Sequence, residues 1–85
     1  MIMNLSKTRF FIEKEKFRFS HSSEDIGYDV YTKGKSWRLI VFYMNDDKPL
    51  DVPRFWLIKD EKLTKFEGFI DNADDFKIVL RLVKV

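Results

Sequence analysis

The sequence predicts a small α+β domain: a mainly antiparallel sheet of about five strands, with a C-terminal helix packed on one face. Three observations carry that expectation. The stretch Trp37-Arg38-Leu39-Ile40-Val41-Phe42-Tyr43-Met44 holds a single charge, and both of its alternating sides are apolar. A strand that needs cover on both faces reads this way, because side chains alternate across the pleat. Ahead of it, Lys33-Gly34-Lys35 supplies a reversal, with glycine free to take the positive φ of a hairpin turn. Finally, the tail from Asp71 to Val85 puts Ala73, Phe76, Val79, Leu80 and Val83 on one helical side and Asp74, Lys77, Arg81 and Lys84 on the other.

A chain of 85 residues has room for one domain, spanning 1–85. With no cysteine, neither a disulfide nor a thiolate metal site can staple it. Stability must come from packing, for which nine Phe, three Tyr and two Trp are available.

Residues 1–7 read as a loosely ordered lead-in. From Thr8 to His21, Phe10, Phe11, Ile12, Phe17 and Phe19 flank the charged run Glu13-Lys14-Glu15-Lys16. Phe17-Arg18-Phe19-Ser20 alternates at the strand period, so this region is expected to form two short strands or one bent one. The charged middle would be a turn, or a guard against pairing at an edge. His21 to Asp25 is a polar loop. Ile26 to Lys33 alternates as a half-buried strand and should pair antiparallel with the segment 36–44.

Asn45-Asp46-Asp47-Lys48-Pro49 gathers turn formers and closes the central strand. Arg54 to Ile58 is the next apolar run, reversed by Lys59-Asp60-Glu61-Lys62 into Leu63 to Ile70. A helix over 51–67 competes, with Asp51 as cap, Pro53 in the first turn and Val52, Phe55, Trp56, Leu63 and Phe66 on one side. Leu57 and Ile58 interrupt that stripe, which favours a hairpin. In the tail, Asp74 and Asp75 early and Arg81 and Lys84 late suit a helix dipole. The alternation of Phe76, Ile78, Leu80 and Leu82 supports a final strand instead, and an all-β barrel-like sheet is the alternative architecture.

The chemistry that is missing narrows the function. One histidine, His21, and no cysteine remove the usual zinc and thiol sites. Gly27, Gly34 and Gly68 are isolated, so there is no phosphate-cradling loop and no nucleophile elbow. The acidic pairs Glu24-Asp25, Asp46-Asp47, Asp60-Glu61 and Asp74-Asp75 could hold Mg²⁺ in principle, yet adjacent acids in turns point apart into water, and capping already accounts for the last pair. The expectation is therefore no catalytic residue, no metal and no cofactor, in a protein that is not an enzyme.

Binding is what remains, and two surfaces suggest themselves. Tyr43, Met44, Phe55, Trp56 and Phe69 exceed a minimal core and are candidate anchors for a partner protein. An unpaired edge, either the N-terminal strand or 63–70, could take a partner strand or a second copy of the chain. The net charge is +2; residues 1–38 hold eight Lys/Arg against five Asp/Glu, and residues 39–85 hold eight against nine. On the basic half, Lys7, Arg9, Lys14, Lys16, Arg18, Lys33, Lys35 and Arg38 are candidate phosphate contacts. Among them lie Phe11, Phe17, Phe19, Tyr28, Tyr31 and Trp37, rings able to stack unpaired bases. The structural alternative is that these rings are the core and the cations its solvated rim.

Low in glycine and rich in Lys, Phe and Asp, the composition is similar to that of small accessory proteins of phages and mobile elements. The expected function is a non-catalytic protein that docks on a macromolecular partner, foremost a protein, and inhibits or modulates it. RNA or single-stranded DNA binding through the basic N-terminal strand and the 33–38 hairpin is the alternative. No signal peptide or membrane span is expected, so the default compartment is cytoplasmic.

Overall fold

A computed structural model describes residues 5–45, 48–59, 62–71 and 73–83. Seven elements follow one another: α1 (Leu5–Lys14), β1 (Arg18–Ser23), β2 (Tyr28–Lys33), β3 (Trp37–Asn45), β4 (Lys48–Lys59), β5 (Lys62–Phe69) and α2 (Ala73–Arg81). The strands form one antiparallel sheet in the order β1-β2-β3-β4-β5. The greasy strand β3 is thus the middle of five. β1 and β5 are edges, so the sheet is open and the barrel-like alternative does not apply.

Both hairpins that the sequence predicts are present. Gly34, at φ 64°, turns β2 into β3, and Tyr31 faces Leu39 across the pair. β4 runs into β5 with Leu57 opposite Phe66, which settles 51–59 and 62–67 as strand rather than helix; the reversal expected at Asp60 and Glu61 lies outside the described residues. At the other end of β2, Gly27 takes φ 90°. A side chain there would overlap Met44, while the Gly27 carbonyl accepts the Tyr43 amide at 2.9 Å.

The first third departs from expectation. Leu5 to Lys14 is a helix, not a strand, and Leu5 to Lys7 belong to it; residues 1–4 lie outside the described residues. Its end explains why the sequence hides it. The Phe17 amide donates to the Ile12 carbonyl at 3.4 Å and the Lys16 amide to that of Glu13 at 3.0 Å. These are the two bonds of a Schellman cap, whose C′ position requires a left-handed residue. Lys16 fills it, at φ 73°, where glycine would have announced the stop. Ile12 and Phe17, the pair such a cap brings together, are both buried.

α2 forms as predicted, with Asp74 and Asp75 in its first turn and Arg81 in its last. Phe76 and Leu80 are its buried stripe, continued just past its end by Val83. The helices lie side by side on one face of the sheet: Lys77 of α2 covers the Phe11 ring of α1 at 4.3 Å, and Arg81 Nε donates to Glu15 at 3.0 Å. Beneath them is one core built from Ile12, Phe17, Tyr31, Leu39, Leu57 and Phe76, among others. The fold has two layers, and the opposite face of the sheet carries no helix among the described residues.

Candidate docking surface

Strand register sorts the side chains between the two faces. On the helix side, Asp29 lies opposite Val41, and Val41 opposite Phe55. The alternate residues point the other way and make three rows across the open face. The first holds Arg18, Thr32, Arg38 and Ile58; the second His21, Val30, Ile40, Trp56 and Glu67; the third Ser23, Tyr28, Phe42, Arg54 and Phe69. The outer rows are about 13 Å apart, four residues of extended chain.

The middle of this face is recessed into a hollow of about 480 Å³. Val30, Ile40 and Trp56 contribute its apolar part, and Tyr28 and Phe42 its aromatic margin. The rings interlock edge to face, Tyr28 on Phe42 at 5.8 Å and Phe42 on Trp56 at 4.8 Å, the arrangement that aromatic quadrupoles favour. Arg38, Thr32, Ser20 and His21 form the polar margin. Ser20 and His21 reach the same hollow because β1 is bulged between Phe19 and His21, which puts two consecutive residues against one on β2. The Ser20 hydroxyl lies 3.0 Å from His21 Nδ1. Trp56 Nε1 is closed off from solvent and has no hydrogen-bond partner, an exception to the usual pairing of buried donors.

Among the described residues, the face carries three arginines (Arg18, Arg38 and Arg54, all exposed) against one acid, Glu67. Arg54 lies over the Phe69 ring at 5.7 Å, and Phe69 is 61% exposed.

Other candidate residues are placed elsewhere. Phe55 is a core residue against Phe76, ring centroids 5.2 Å apart, so it is not a surface anchor. It faces the helices while its neighbour Trp56 faces away, as alternation demands. Tyr43 and Met44 are half-buried near the β1–β2 turn; burial raises the Tyr43 hydroxyl pKa, with Asp29 and Glu24 adding to the effect. Lys14, Lys16 and Lys35 are exposed, the first two on the α1 side and the third in the β2–β3 turn.

Two of the expected phosphate contacts hold the fold together instead. Lys33 Nζ donates to the carbonyls of Glu15 (3.1 Å) and Val83 (3.2 Å), just beyond the C-termini of α1 and α2, where a cation is favoured. Arg9 Nη2 donates to Asp29 Oδ2 at 3.0 Å, and its Nε to the Tyr31 hydroxyl at 3.4 Å. That hydroxyl donates to the same Asp29 oxygen at 3.3 Å. Asp29 is 1% exposed, and its Oδ1 has no partner. The hydrogen bond to Asp29 raises the Arg9 pKa. Burial pushes the Tyr31 hydroxyl up to about 12, a shift the Arg9 guanidinium opposes.

The open face is an assembly the sequence shows only in pieces. Trp56, Arg18, Arg38 and Tyr28 are recognisable individually as candidates. Phe42, Ile40, Arg54 and the hollow's His21 are not, although the 33–35 hairpin register already places Tyr28 opposite Phe42. No cluster of three metal-ligating side chains occurs among the described residues, and no helix there is long and apolar enough to cross a membrane. No protein-family model, curated protein or solved structure matches this chain.

Proposed function

We propose that this chain is a non-catalytic binding protein whose working surface is the open face of the sheet. It docks there on a macromolecular partner and modulates that partner by covering it. One observation carries the reading. The central strand is apolar on both sides, yet both helices cover the same side, leaving Tyr28, Ile40, Phe42 and Trp56 around a hollow with no layer above it among the described residues. Half-buried aromatic clusters of this kind, rimmed by polar groups, mark interaction sites. They also supply the residue types that dominate binding energy.

The test sets charge on the two faces against each other. Ile40→Lys places a cation in the hollow; Ile78→Lys places one at an exposed position of α2. A macromolecule recovered with the parent chain should be lost with Ile40→Lys and kept with Ile78→Lys, both variants retaining the parent's circular dichroism. Loss with Ile78→Lys and retention with Ile40→Lys would put the working surface on the helices and overturn the proposal.

A further inference from the structure

We draw no further inference here: the strongest candidate, the hollow on the open face of the sheet lined by Tyr28, Ile40, Phe42 and Trp56, belongs to the docking surface already described, and nothing in the structure shows what covers it.

Discussion

Replacing Arg9 with methionine is expected to destabilise the fold far more than loss of an ordinary surface cation. Asp29, 1% exposed, faces the core side of β2, and its Oδ2 accepts from Arg9 and from Tyr31. Arg9→Met keeps most of the side chain's packing but leaves the carboxylate with one neutral donor. Breaking a fully buried ion pair costs about 3–5 kcal/mol. The Arg9 side chain is 41% exposed, so part of its charge is already screened by water, and about 2–3 kcal/mol is the appropriate range. For a domain of this size that is a large share of a total stability of about 5–15 kcal/mol.

Urea denaturation followed by circular dichroism reads the effect as a shift in midpoint at constant slope. The physical cause is tested by the double change. In Asp29→Asn the buried charge is gone, so Arg9→Met in that background should cost at least about 1 kcal/mol less than in the parent. An equal cost in both backgrounds, or a cost below about 0.5 kcal/mol in the parent, would refute the argument.

Three further outcomes are expected. Tyr31 is pushed from 10.0 to about 12 in the folded chain, so the folded state holds this proton where the unfolded chain has lost it. Stability contributed by Tyr31 is therefore present below about pH 10 and lost as pH rises towards 12, up to about 3 kcal/mol; urea midpoints of Tyr31→Phe should show less of this alkaline loss than the parent. Lys16→Gly relieves the left-handed strain at the end of α1 and should raise stability by about 0.5–1 kcal/mol in the same assay. Lys33→Met deprives two helix-terminal carbonyls of a charged donor and should cost about 1–3 kcal/mol, with amide exchange quickening in the last turns of α1 and α2.

The parts of the fold legible in the sequence share a local cause. The β2–β3 hairpin, the β4–β5 hairpin and α2 each combine a hydrophobic period with turn or dipole residues at their ends, and no distant contact is needed to read them. α1 escaped because its stop is written in backbone bonds rather than residue type: Lys16 stands where glycine is the usual signal. Among its described side chains the stripe is also thin, chiefly Thr8 and Ile12 with Phe11 partly covered, while Phe17 and Phe19 beyond it alternate like a strand. The cations were legible as cations but not by task. Nothing near Arg9 or Lys33 in the chain announces a buried carboxylate twenty residues away or two helix ends.

Composition and periodicity alone determine that this chain has few reactive side chains and a middle strand apolar on both sides. Those are properties of residue type and of the two-residue pleat. Which side of that strand receives cover is settled only in three dimensions, by an N-terminal helix that the residues do not advertise and by a cap pairing Ile12 with Phe17. Because both helices pack on the Tyr31–Leu39–Leu57 side, the Tyr28–Phe42–Trp56 side carries no helix among the described residues. Burial is a relation between segments far apart in the chain, so no local pattern can assign it.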